Sequence, residues 1–228
     1  MKRRPAAKAP RRLRSVARPK QARSERTLYR ILDVAETLIE RRGLGDVSIP
    51  EIVRRAGSSV GGFYARFRDK NELLHALEER FFEELLDRLD ALADTERWRD
   101  ADVDTVVAAC LAELMRTARE RRNLLAAFLA RAAQDPEARA EALRFRGEAT
   151  QLMLPLFRSM GAASAHPDPP TAIAVAVQVA FALVQQRLLA DADAAGELDD
   201  AALQRELHRL LVPYLGFESR RSARSRTG

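Results

Sequence analysis

An all-α fold is predicted by three features of the chain. Its 228 residues are 46% hydrophobic and 32% charged, with only 10 Gly and 10 Pro, the balance of a soluble helical protein. Apolar residues recur at i, i+3, i+4 and i+7 through most of the length, which is the spacing of one helix face. Between Gly62 and Pro136 there is neither Gly nor Pro to break a helix. The expected architecture has about nine helices. A three-helix N-terminal unit containing a helix-turn-helix is joined by a long fourth helix to a larger C-terminal helical domain.

Charge divides the chain into four segments. Residues 1–23 carry ten Lys or Arg and no acid, and Pro5, Pro10 and Pro19 interrupt any helix, so a disordered basic arm is expected. Residues 24–74 are nearly balanced, at net +1, and residues 75–217 are acidic, at net −8. Residues 218–228 are expected to form a second basic, disordered tail. The formal charge of +6 therefore sits at the ends of the chain, and the N-terminal excess suits a polyanionic partner for that end alone.

The first helix follows from Leu28, Ile31, Leu32, Ala35, Leu38 and Ile39, an apolar stripe that Gly43 and Gly45 end. Ser48 then fits a helix N-cap, with Glu51 three residues on as its capping-box partner and Pro50 in the first turn. Ile49, Ile52, Val53 and Ala56 give the second helix its buried face, and Gly57 stops it. Ser58 or Ser59 caps a third helix whose stripe is Val60, Phe63, Tyr64 and Phe67. Two helices of roughly eight residues joined at a Gly are a helix-turn-helix, spanning about 48–67. Neither is stable alone, so both must pack on the first helix.

Asp69 caps the fourth helix, with Glu72 as its partner, and Leu74, Leu77, Phe81 and Leu85 carry its stripe towards Ala93. No flexible hinge is expected in it. Five further helices follow at about 102–119, 121–133, 136–160, 171–190 and 199–216. Loops are expected at Gly161–Pro170 and Asp191–Glu197. The helix at 171–190 is apolar nearly all round and must be buried on most sides.

Chemistry is scarce. The 3 His residues, His75, His166 and His208, are far apart, and the single Cys110 allows no intrachain disulfide. HExxH, G-x-S-x-G, Walker A and dinucleotide-binding fingerprints are absent, so no catalytic residue, metal or cofactor is expected. The basic N-terminus lacks the apolar core of a signal peptide. The run from Ala172 to Val184 is shorter than the roughly 20 residues that span a bilayer. A cytoplasmic protein without membrane contact is expected.

Gly61-Gly62 stands out, since each Gly inside a helix costs about 1 kcal/mol relative to Ala. Lacking a Cβ, that helix surface can approach a DNA strand or a thymine methyl closely. Tyr64 offers a hydroxyl to a phosphate while its ring packs on the core. Lys70, in the first turn of the fourth helix, is placed to grip a phosphate together with the exposed backbone N–H groups.

The ordered run Ile31-Leu32-Asp33-Val34-Ala35, Gly43, Ser48-Ile49-Pro50-Glu51-Ile52, Ala56-Gly57, Ser59, Gly61-Gly62-Phe63-Tyr64, Phe67 and Lys70-Asn71-Glu72-Leu73-Leu74 resembles the TetR family of bacterial transcriptional regulators. The resemblance covers about 50 residues of the chain, and beyond them only length and helix order agree. It implies a homodimer on a palindromic double-stranded DNA operator, with the helix from Ser59 to Phe67 in a major groove. A small-molecule effector releases the DNA. Phosphate contacts would come from Ser48, Tyr64 and Lys70. Base-facing positions would be Ser59, Val60, Gly62 and Phe63, beside Gly61, with Arg66 the only long donor on the helix. Val60 and Gly62 replace positions that are often polar, so thymine-methyl contact, DNA shape and the basic arm gain weight.

The same resemblance implies that the last two helices, about 171–190 and 199–216, pair with their dimer mates. It also implies an apolar effector pocket among Phe81, Trp98, Cys110, Leu114, Met115, Phe128, Phe145, Met153 and Phe157, with Arg144 and Gln151 as polar anchors. The effector would be hydrophobic or amphipathic. Rival readings are a helical protein that binds nucleic acid without sequence preference, and a small helical ligand carrier or enzyme.

Overall fold

The structure, a computed structural model, describes residues 22–159, 164–189 and 199–217. The two terminal segments expected to be disordered, and the loop at 191–197, lie outside the described residues apart from Ala22 and Arg23. The described helices are α1 (Ala22–Arg42), α2 (Ile49–Arg55), α3 (Val60–Tyr64), α4 (Lys70–Leu92), α5 (Val103–Glu120), α6 (Arg122–Gln134), α7 (Pro136–Ser159), α8 (Pro169–Leu189) and α9 (Asp200–Leu215). A short 3₁₀ turn, Thr95–Trp98, was not expected from the sequence; Asp94 caps it by accepting the Glu96 N–H.

The chain forms two compact units, one through Leu85 and one from Leu86, with the division inside the unbroken helix α4. In the first unit, α1 buries Leu28, Ile31, Leu32, Ala35, Leu38 and Ile39, the stripe read from the sequence. Ile52, Val53 and Ala56 of α2, Phe63, Phe67, and Leu73, Leu74 and Leu77 of α4 are buried as well. Each of the larger side chains among them contributes roughly 1.5–3 kcal/mol, which is what holds helices too short to exist alone. Gly43 and Gly57 take positive φ, 80° and 59°, where a side chain would be strained. One ion cluster stitches the first unit together: Arg80 of α4 reaches Asp33 at 2.6 Å and also Glu36, both on α1.

Three local expectations need correction. The third helix has five residues rather than about eight, and of its expected stripe only Phe63 and Phe67 are buried. Val60 and Tyr64 lie four residues apart on a neighbouring face and point out. Glu51 does not close a capping box on Ser48. Its carboxylate goes to Arg42 at 2.6 Å and Arg55 at 3.0 Å, because a full charge partner binds it more strongly than an amide does. Glu72 accepts the N–H of Arg68, at 2.5 Å, where the box would have used Asp69.

The second unit packs Val103, Val106, Val107, Leu111 and Met115 of α5 against Met153, Leu156 and Phe157 of α7, six residues of α8, and Leu203, Leu207, Leu211 and Leu215 of α9. Helix α8 has 21 residues and is long and apolar enough, by length and composition alone, to cross a membrane. The run from Ala172 to Val184 lies inside it, as in the helix expected at about 171–190. Ala172, Ile173, Ala176, Ala180, Val184 and Leu188 seat one side of it in the core. Gly216 ends α9 in the left-handed region, and its Cα lies so close to the His166 backbone that an added Cβ would sit 2.8 Å from that nitrogen. Beside it the Ala165 N–H donates to the Gly216 carbonyl at 2.7 Å, pinning the segment before α8 to the end of α9.

Candidate nucleic-acid interface

The predicted DNA-contacting residues all lie in the first unit, between Ser48 and Lys70. Ser48 caps α2, its exposed hydroxyl accepting the Glu51 N–H at 3.4 Å, and it keeps an O–H to donate. The positive φ of Gly57 turns the chain sharply, and Arg30 of α1 braces the turn through the Gly57 carbonyl at 3.4 Å. Ser59 then caps α3 by accepting the Gly62 N–H at 3.0 Å. These caps satisfy orphan donors that helices of five and seven residues cannot satisfy internally.

The outer face of α3 carries Ser59, Val60, Gly61, Tyr64 and Ala65. Val60 is 46% exposed and Tyr64 54%. The Tyr64 ring leans edge-on against Phe63, centroids 5.4 Å apart, rather than packing into the core as expected. Its hydroxyl bonds to none of the described residues. Gly61 and Gly62 differ. A Cβ on Gly61 would meet nothing within 4 Å, whereas one on Gly62 would sit 2.8 Å from the Ser58 hydroxyl and 3.2 Å from that of Ser59. Bare surface is therefore the feature of Gly61, and Gly62 makes room for the cap.

Three expected contacts are altered by tertiary packing. Phe63 is wholly buried and packs at a tilt against Phe67, centroids 5.2 Å apart, so it cannot face a base. Arg66 turns inward: Nη1 donates to the Gly62 carbonyl at 2.5 Å, and Nη2 to the Ser24 hydroxyl at 2.8 Å and the Ser24 carbonyl at 3.3 Å. It ties the turn that ends α3 to the start of α1. Lys70 donates to the Leu44 carbonyl, and burial pushes its ammonium below the usual lysine range, with Asp46 opposing that shift. It braces the α1–α2 loop as well as standing at the N-terminus of α4, where Asp69 accepts the Glu72 N–H at 2.8 Å. Sequence reading missed the Ser24–Arg66 and Leu44–Lys70 ties, since residues 42 and 26 positions apart carry no pattern that links them.

In the second unit the candidate pocket residues are mostly core. Met115, Phe128, Phe145, Met153 and Phe157 are buried, and Trp98, Cys110 and Leu114 half-buried. Phe81 is buried too but belongs to the first unit. Phe145 meets Phe181 edge-on at 5.9 Å, and Trp98 donates its Nε1–H to the Leu92 carbonyl at 2.6 Å under the Arg97 guanidinium. Burial pushes the Cys110 thiol up to about 12, against the pull of Arg97. Arg144 and Gln151 are exposed. With Phe145, Ala149 and Met153 facing the core, these two lie on the far side of α7 and cannot anchor an internal ligand. A cleft of about 260 Å³ opens elsewhere, lined by Met115, Ala118, Arg119, Arg122, Val184, Arg187, Leu188 and Asp200. Of these, Met115 alone was expected to line a pocket. Among the described residues no group of three or more His, Cys, Asp or Glu is placed to hold a metal.

Two capped short helices at a glycine turn, seated on α1 and followed by a capped long helix, define a helix-turn-helix protein of the DNA-binding class. The family model "Bacterial regulatory proteins, tetR family" matches residues 31–77. An uncharacterized HTH-type transcriptional regulator of Bacillus subtilis (strain 168), YvdT, is 34% identical over 76 residues, which are 32% of this chain and 39% of that one. The chain thus matches well under half the length of this curated relative. A TetR-family transcriptional regulator from Pectobacterium atrosepticum shares the fold over 89% of this chain and all of its own, at a TM-score of 0.64 and 21% identity. RolR, solved in complex with resorcinol, does so over 82% of this chain and 88% of its own, at 0.52 and 24%. Residues 31–77 thus match the TetR family of bacterial regulatory proteins, and the chain as a whole shares the fold of solved TetR-family regulators.

Proposed function

We propose that the protein is a DNA-binding transcriptional regulator that works as a homodimer and is released from a palindromic operator by a small apolar or amphipathic molecule. The observation that carries this reading is the outer face of α3, where Val60, Gly61 and Tyr64 stand exposed between the Ser48 cap and the N-terminus of α4. Ser48, Tyr64 and Lys70 then contact phosphates, and α3 enters the major groove. In a dimer, two copies of α3 sit about one helical turn of DNA, or a multiple of it, apart.

The dimer reading is supported by α8 and α9. Thr171, Val175, Gln178, Ala182, Gln186 and Leu189 form an uncharged exposed stripe on α8, and Leu210, Pro213 and Tyr214 an exposed apolar group on α9. An uncharged stripe beside exposed apolar side chains suits a protein–protein interface. For the effector, RolR in complex with resorcinol is a fold-level precedent for a small apolar ligand. The effector shifts the DNA-bound population only by its difference in affinity for the two states.

Tyr64→Ala should weaken binding about tenfold on operator and random duplex alike, since a charge-assisted hydrogen bond to phosphate carries no sequence information. Gel shifts on both duplexes measure this, and unchanged affinity removes Tyr64 from the interface. The Ser24–Arg66 tie sets the start of α1 beside the turn that ends α3, and the basic residues 2–23 lead up to Ser24 in the sequence. Deleting them should flatten the dependence of log K on log salt by about 0.9 for each phosphate that is no longer neutralised. The withdrawal of Arg66 favours a second reading, binding with little sequence preference; equal affinity for the protein's own promoter and random DNA would select it.

A further inference from the structure

The proposed reading helix presents few directional donors. Arg66, the only long donor on α3 or in the turn that ends it, is bonded to Gly62 and Ser24. The arginine–guanine fork, the commonest specific base contact, is therefore not available from this helix without breaking the tie. Phe63 is buried, and Gly61 offers bare backbone with open space where a Cβ would be. Ser59 uses an acceptor position for its cap and, like Ser58, has a rotating hydroxyl that serves donors and acceptors alike, so it distinguishes bases weakly.

What remains at the start of α3 is Val60, at its first position and 46% exposed. Its β-branched side chain has restricted rotamers, so the isopropyl group is held in place before any partner arrives. Beside it the missing Cβ of Gly61 lets the helix lie close to its partner. In the major groove only thymine presents an apolar group, its C5-methyl.

We propose that Val60 reads the C5-methyl group of one thymine in each operator half-site, so that an A·T pair is specified there by apolar contact. This rests on the regulator reading above. The groove-facing polar groups of α3 then set position and register, and Val60 supplies the base choice. Replacing thymine by uracil removes the methyl and leaves every hydrogen-bonding group of the base in place, which isolates the contact.

The test uses the full-length protein and a duplex selected with it from a random pool. Each thymine of the selected site is replaced in turn by uracil, and affinity is measured by fluorescence anisotropy at fixed salt. One position per half-site should lose about fourfold on removal of one methyl, and replacing both half-sites together roughly tenfold or more. Val60→Ala should bind the thymine duplex several-fold more weakly and show no thymine–uracil difference at that position. Because Val60 is exposed and Ala favours helix, the variant should melt with the wild type. Indifference to uracil at every position overturns the inference while leaving the regulator reading intact. So does a thymine–uracil difference that persists in Val60→Ala, which would place the contact on Ala65 or Tyr64. A pool in which no duplex is enriched overturns the sequence-specific regulator reading and this inference with it.

Discussion

Among the described residues through Leu85, the only large apolar side chains left exposed are Val60 and Tyr64, both on α3. From Leu86 onwards Leu143, Val175, Leu189, Leu210 and Tyr214 stand open, four of the five on α8 and α9. The first unit largely satisfies itself: its stripes close on α1, and three of its long cationic side chains bond inward, Arg80 to Asp33 and Glu36, Lys70 to Leu44, Arg66 to Ser24. The second unit has a closed core yet keeps an apolar outer face. A domain that meets a polyanion needs a rigid, fully packed support under a small contact surface. A domain that pairs with its own copy needs apolar area left over after folding.

The largest expected effect tests whether the first unit is self-sufficient. Phe63→Ala removes a wholly buried ring that also packs against Phe67, and should destabilise the unit by about 3–5 kcal/mol. Hydrogen exchange in residues 22–85 measures it. Phe63→Leu, which keeps most of the volume, should retain DNA binding. Loss of DNA binding by a fully folded Phe63→Leu would return Phe63 to the interface.

A somewhat smaller effect tests the incompleteness of the second unit. Leu210→Arg places a charge in the proposed α8–α9 interface and should weaken dimerisation by roughly 2–3 kcal/mol, about a hundredfold. The monomer's melting profile should change little, because Leu210 is 58% exposed before any pairing. Sedimentation at several concentrations measures this, and an unchanged association constant would move the interface elsewhere.

The smallest effect concerns pH. The hydrogen bond from Arg42 holds the Glu51 carboxyl below its usual range; slight burial opposes this, and the charges of Arg42, Arg55 and Arg54 add to it. A depressed carboxyl stabilises the fold fully above its unfolded pKa, and that contribution fades as pH falls through the lower folded value. The window therefore lies below about pH 4.3, the ordinary glutamate value. Glu51→Gln should give a shallower fall in melting temperature between pH 5 and 3 than the wild type, and equal slopes would show the Arg42 pair to be inert.

Much of the first unit's local structure was legible in order along the chain. The N-caps at Ser48, Ser59 and Asp69, the turn at Gly57 and the buried stripe of α1 are local, each fixed by interactions within a few residues. The helices of the second unit were legible to within about two residues for the same reason, since periodicity and breakers act locally. The errors arose where one side chain had competing partners. Glu51 left its capping box for two arginines, and Gly62 proved to serve the Ser58 hydroxyl. Arg144 and Gln151 were read as pocket anchors because a sequence names the residues of α7 without saying which arc of it the core claims.

By itself, then, the sequence determined the all-α class, the order of the helices and the caps at Ser48 and Asp69, with the third narrowed to Ser58 or Ser59, because those depend on backbone hydrogen bonding and on apolar spacing over one or two turns. Tertiary structure alone decided what each polar side chain is free to do. Arg66 is a long donor in any reading of the sequence; only the arrival of Ser24 from 42 residues away withdraws it and leaves Val60 at the front of α3. Burial and long-range hydrogen bonds are properties of the assembled unit, and they set which chemistry reaches the surface.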